Sequence, residues 1–184
     1  MVELSPMMRQ YVDIKNKHKD SIVFFRLGDF YEMFFDDAKL VSEELDLTLT
    51  GKDYGQKERA PMCGIPYHSC EAYIARLVAK GYKVAMCDQV ENPAQAKGIV
   101  KREVVRVITP GTVMEESMLD ESKNNYICSV YLSKSSDTVG MAFCDISTGE
   151  LKVTELSGLY DDVINEVKNE LGKFSPKEIL AGGK

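Results

Sequence analysis

Between Ile22 and Phe35 the sequence changes character three times in one short stretch, and that narrows the folds available to it. Ile22-Val-Phe-Phe25 is a dense β-branched and aromatic run of strand length, and Gly28 interrupts it. From Tyr31 onward Met33, Phe34, Ala38, Val41 and Leu45 recur at a spacing that predicts a helix ending near Asp46. A buried strand, a glycine and an amphipathic helix in immediate succession call for a sheet with helices packed on it. Phe30 and Glu32 follow the glycine two residues apart, and in extended backbone both project from one face.

The flanking segments extend this pattern. Ser5-Pro6 places an N-cap residue before a proline at the first helical position, with Met8, Tyr11, Val12 and Ile14 at helical spacing up to about His18. Leu47-Thr-Leu-Thr50 alternates as a strand, and 51–60 reads as a polar loop. Pro61-Met-Cys-Gly-Ile-Pro-Tyr-His68 carries two prolines and a glycine, which prescribe a backbone path other than a helix. His68 or Ser69 caps a further helix with Ala72, Tyr73, Leu77 and Val78 on its apolar face and Gly81 at its end. Residues 82–87 and 104–108 read as strands, and Asn92-Pro93 as a turn or short helix between them.

A second unit is expected after a polar, acidic stretch, giving a first domain over 1–114, a linker over 115–124 and a truncated second domain over 125–184. In the second domain 126–132, 139–145 and 151–156 read as strands joined by turn-rich segments short enough for antiparallel hairpins. A helix over 159–171 and a strand opening at Glu178-Ile-Leu180 follow. The fold class is therefore α/β (α+β), a small mixed-sheet domain with flanking helices followed by part of another.

Composition bounds the function classes. With 44% hydrophobic and 28% charged residues the chain can bury a core, and no apolar run approaches membrane-spanning length. The N-terminus has no basic region followed by an apolar one, so a cytoplasmic location is expected. Five cysteines at irregular spacing, with His18 and His68 the two histidines, argue for free thiols and against zinc. The net charge of -6 counts against a strong non-specific nucleic-acid binder. Its distribution is uneven, however: residues 1–114 hold 16 basic and 16 acidic side chains, 115–184 hold 7 and 13, and 51–106 hold 10 and 6. A neutral first domain with one basic stretch can still face phosphates.

Four motifs occur in order: Gly28-Asp-Phe-Tyr-Glu32, Ala60-Pro-Met-Cys-Gly-Ile-Pro-Tyr-His68, Val84-Ala-Met-Cys-Asp-Gln89 and Arg106-Val-Ile-Thr-Pro-Gly-Thr112. Together they resemble the N-terminal portion of the MutS family, across essentially the whole chain. The resemblance implies a mismatch-recognition domain followed by the start of an RNase H-like connector domain. It implies that Phe30 stacks on a mispaired or unpaired base from the minor-groove side of double-stranded DNA while Glu32 hydrogen-bonds that base. It further implies a homodimeric parent protein, ATP and magnesium bound in a C-terminal domain, no cofactor in this region, and other repair factors as partners of 125–184. Position and charge add Lys52, Arg76, Lys97 and Arg102 as backbone contacts, with Gly28, Asp29, Tyr31 and Arg26 supporting the loop.

Competing readings exist for each residue. Taken alone, Phe30 reads as a further member of the cluster of Phe24, Phe25, Phe34 and Phe35. Asp29 and Glu32 read as helix-start chemistry, Asp29 as an N-cap. A metal-dependent nuclease needs converging carboxylates near a lysine, for which Glu150, Lys152 and Asp137 are the nearest match. A purely protein-binding adaptor is the other alternative. No phosphate-loop sequence occurs, so nucleotide hydrolysis is not expected of these residues.

Overall fold

The computed structural model describes residues 4–55, 58–91, 98–133 and 138–183. It separates into two compact units, Met1–Ile108 and Thr109–Lys184.

In the first unit, α1 (Pro6–Lys17) starts as its sequence prescribes, with the Ser5 hydroxyl accepting from the Met8 amide at 3.4 Å and Pro6 at the first helical position. The strands are β1 (Ile22–Leu27), β2 (Phe30–Phe34), β3 (Thr50–Lys52), β4 (Ala60–Pro66), β5 (Val84–Gln89) and β6 (Arg102–Ile108). They form one sheet in the order β3-β4-β2-β1-β5-β6, antiparallel except for the β1–β5 pair. Helices α2 (Phe35–Leu45) and α3 (Cys70–Ala79) complete the unit.

Four local expectations are corrected. The helix predicted from Tyr31 begins at Phe35, because β2 is hydrogen-bonded to β1 on one side and to β4 on the other, and that ladder outweighs local periodicity. Asp29 therefore caps no helix, and the acids in the first turn of α2 are Asp36 and Asp37. The segment 61–68, by contrast, avoids an α-helix as expected and is mostly a strand. Its prolines fall near the two ends of β4, where the loss of an amide donor costs least. The strand expected over 47–50 lies instead at Thr50–Lys52, and Ala72 is exposed on α3, whose buried face is Ile74, Leu77 and Val78.

One face of this sheet packs on α1, where Met8, Tyr11 and Ile14 meet Val23, Phe25, Phe34, Ala60, Ala85 and Cys87. The buried Asp37 carboxylate ties the elements together, accepting from Lys15 Nζ at 2.8 Å, Tyr11 Oη at 3.2 Å and the Val23 amide at 3.0 Å. Phe35 holds a left-handed φ of +53° at the strand-to-helix corner, a conformation costing roughly 1–2 kcal/mol, and its ring packs tilted against Tyr11 and edge-on to Tyr54.

The second unit holds β7 (Tyr126–Leu132), β8 (Thr138–Asp145), β9 (Glu150–Ser157), α4 (Tyr160–Phe174) and β10 (Glu178–Gly183). Its sheet runs β10-β7-β8-β9, with β10 parallel to β7 and two antiparallel pairs beyond. Tyr126, Cys128, Val139, Met141 and Phe143 are buried with Val163, and Val167, Leu171 and Phe174 of α4 pack on them. The two mixed sheets and their helices match the fold class expected from sequence.

Candidate nucleic-acid interface

Strands β1 and β2 are joined by the two-residue turn Gly28-Asp29, with Leu27 facing Phe30 across it. Gly28 takes φ +57°, the left-handed conformation that a tight hairpin demands and that glycine adopts without strain. Along β2, period two sends Phe30, Glu32 and Phe34 to the sheet face that carries α1. Exposure falls steadily along that line: Phe30 is 47% exposed, the Glu32 side chain 16%, and Phe34 is fully buried, with its ring edge-on to Tyr11 at 5.0 Å. Tyr31 and Met33 point to the opposite face and are buried.

The turn is held from several sides. Arg26 Nε donates to the Gly28 carbonyl at 2.5 Å, and its guanidinium lies 3.4 Å from the centre of the Tyr67 ring. The Tyr67 amide donates to the Asp29 carbonyl at 2.9 Å. Tyr31 Oη donates to Asp88 at 2.7 Å, and burial together with that acceptor pushes the Tyr31 hydroxyl well above its ordinary pKa. Opposite Glu32 on β4 stands Gly64, where an added Cβ would touch the Tyr31 carbonyl at 3.4 Å, Glu32 Cγ at 3.5 Å and Phe30 Cδ1 at 3.9 Å. The missing side chain leaves room for both the ring and the carboxylate.

The four expected basic contacts have four different settings. Lys52 is ion-paired with Glu32, its Nζ 5.7 Å from the centre of the Phe34 ring. Arg102 is not the surface cation expected: it is 7% exposed, donating to the Arg26 carbonyl at 2.6 Å, the Val100 carbonyl at 2.8 Å and Gln10 Oε1 at 3.2 Å. Its guanidinium lies 5.0 Å from the centre of the Phe25 ring, and burial lowers its pKa. It braces the strand that leads into the turn. Arg76 is exposed on α3. Lys97 lies outside the described residues.

Two contributors escaped sequence reasoning. Tyr67 reads as part of the 60–68 motif, but its role as the plate under Arg26 depends on β4 lying beside β2. The Lys52–Glu32 pair joins residues on strands that flank a third. All five cysteines are free, and burial pushes the Cys63 and Cys87 thiols up to about 12.

For the nuclease alternative, Glu150 is bonded to Tyr126 Oη, to Asn124 Nδ2 at 2.7 Å and to Lys152 Nζ at 3.0 Å, so both its oxygens have local partners. Asp145 is buried and caps its own turn, accepting from the Asn125 and Ser147 amides at 3.0 Å. Asp137 lies outside the described residues. Among the described residues no group of three or more His, Cys, Asp or Glu side chains is placed to hold a metal ion.

The family model for MutS domain I matches residues 5–117, and that for MutS domain II matches residues 125–184. This chain belongs to the MutS family. Relatives named DNA mismatch repair protein MutS are 55% identical over 183 residues in Acetivibrio thermocellus, 57% over 180 in Ruminiclostridium cellulolyticum and 56% over 179 in Clostridium tetani. These alignments cover 100%, 98% and 97% of this chain and 21%, 20% and 20% of the respective relatives. The chain thus spans about a fifth of the length of the MutS proteins it matches. No described helix is long and apolar enough to cross a membrane.

Proposed function

We propose that this chain senses mispaired or unpaired bases in duplex DNA as part of mismatch repair, with Phe30 as the wedge and Glu32 as the polar reader. The observation that carries this reading is an aromatic ring left 47% exposed on a turn bonded through Arg26, Tyr67 and Tyr31, beside a carboxylate on the same face. Pushing a ring into a base step costs a few kcal/mol of unstacking. That cost is lowest where pairing is already defective, so deformability supplies the first selection. The carboxylate supplies the second, because near phosphates it is repelled unless a base edge donates to it.

On this reading residues 1–114 are the recognition domain, 115–124 a linker and 125–184 the start of a connector that meets other repair factors. Arg76 and Lys97 are candidate phosphate contacts, and Arg26, Gly28, Asp29, Tyr31 and the buried Arg102 support the turn. ATP and magnesium act in parts of the relatives outside the matched fifth, two copies share one duplex, and the protein works in the cytoplasm.

The test compares mismatch with homoduplex binding at one stated salt concentration, using the protein at its full natural length. Phe30→Ala is expected to remove nearly all mismatch preference, whereas Glu32→Ala mainly raises homoduplex affinity. A Phe30→Ala variant as selective as wild type would sink the assignment.

A further inference from the structure

The Glu32 carboxylate sits between an exposed ring and a fully buried one, and its side chain is only 16% exposed. A carboxylate in such a setting requires a charged partner or a full set of donors. In this structure the partner is Lys52 of β3, a strand separated from β2 by β4, so the two side chains meet across the intervening strand. Lys52 is itself mostly covered, with its side chain 31% exposed and its ammonium 5.7 Å from the centre of the Phe34 ring. Its position is therefore specified by packing as well as by charge.

We propose that Lys52 is a specificity-determining residue acting through Glu32: it holds the carboxylate in the DNA-free protein, and a displaced base edge must take the carboxylate from it. This rests on the reading of Phe30 and Glu32 given above. On homoduplex no base edge competes, so Glu32 keeps Lys52 and the pair meets the phosphates as a neutral unit. On a mismatch, the donor on the displaced base exchanges for the ammonium, which is released toward the backbone phosphates. Lys52 thereby limits the repulsion that Glu32 alone would impose on homoduplex.

The test is a double-mutant cycle on the ratio of mismatch to homoduplex affinity, at full natural length and fixed salt, with Lys52→Met, Glu32→Ala and both together. Lys52→Met keeps the apolar stem and removes the charge. It is expected to weaken homoduplex binding more than mismatch binding, raising the ratio about five- to tenfold, and to change the ratio less than about twofold once Glu32 is alanine. Lys52→Arg, which restores a cation, is expected to bring the ratio back toward wild type. If Lys52→Met lowers both affinities by one factor, whatever residue stands at 32, Lys52 is a phosphate contact and the proposal is overturned. If Glu32→Ala alone leaves the ratio unchanged, the recognition reading itself has failed, and the role of Lys52 with it.

Discussion

At the start of β2, Phe30 leaves an aromatic ring half in solvent above a turn fastened by Arg26, Tyr67 and the Tyr31–Asp88 bond. Along β7 to β9, the sheet face opposite the α4 contacts leaves Tyr131, Leu151 and Val153 exposed at 55%, 64% and 72%, with Gly140 and Ala142 between them. By exposed apolar area the second region is the larger. What separates them is the structure beneath. Under Phe30 a charged, hydrogen-bonded scaffold fixes one ring beside one carboxylate, whereas the second region is the outward row of ordinary strand alternation. Exposure acquires a meaning only when the fold has committed polar groups to aiming it.

The largest effect that can break this contrast lies within β2 itself. Phe34→Ala is expected to destabilise the first unit by about 3–5 kcal/mol, because it empties a fully buried aromatic site against Tyr11 and Phe25. Phe30→Ala, two residues earlier on the same face, should stay within about 0.5 kcal/mol of wild type in urea unfolding. Comparable losses at both positions would make Phe30 a core residue in solution and dissolve the comparison.

A middle-sized effect sharpens the second unit. Burial pushes the Asp145 carboxyl up, but the bonds from the Ser147 hydroxyl and the Asn125, Ser147 and Thr148 amides together outweigh it and hold its pKa below the ordinary value. Its contribution is thus present in full above the unfolded value near pH ~3.9 and is lost as the pH falls toward the depressed folded one. Asp145→Asn is expected to cost about 1–2 kcal/mol near neutrality and to flatten the acid limb of the stability curve. An unchanged acid limb would show that the turn is held by other bonds.

The smallest effect concerns the open face. Val153→Lys should leave stability within about 0.5 kcal/mol, since the side chain is already 72% exposed. A substantially larger loss in this chain would mean that the face is covered in solution.

Much of the second unit was legible because β8 alternates strictly and the segments that join its strands are short and rich in polar residues. The three expected strands at 126–132, 139–145 and 151–156 reappear as β7, β8 and β9 with ends shifted by at most a residue. The first unit was read less well where neighbours overrode local pattern. Prolines at 61 and 66 disguised β4, and the helical spacing of Met33 and Phe34 concealed the last part of β2. Arg102 looked like a surface cation because a sequence displays its charge and not the carbonyls that enclose it.

The sequence by itself determined the local geometry of Phe30 and Glu32. Gly28 supplies the turn, period two puts Phe30 and Glu32 on one face, and Ser5-Pro6 starts the helix that will cover the other end of that face. These are short-range consequences of backbone sterics, complete within a few residues. Only the tertiary structure decided that Phe30 stays wet while Phe34 is dry, that Tyr67 lies under Arg26, and that Lys52 reaches Glu32 across β4. Those outcomes depend on which strands become neighbours, and strand neighbours are chosen by the burial of the whole sheet rather than by any segment of it.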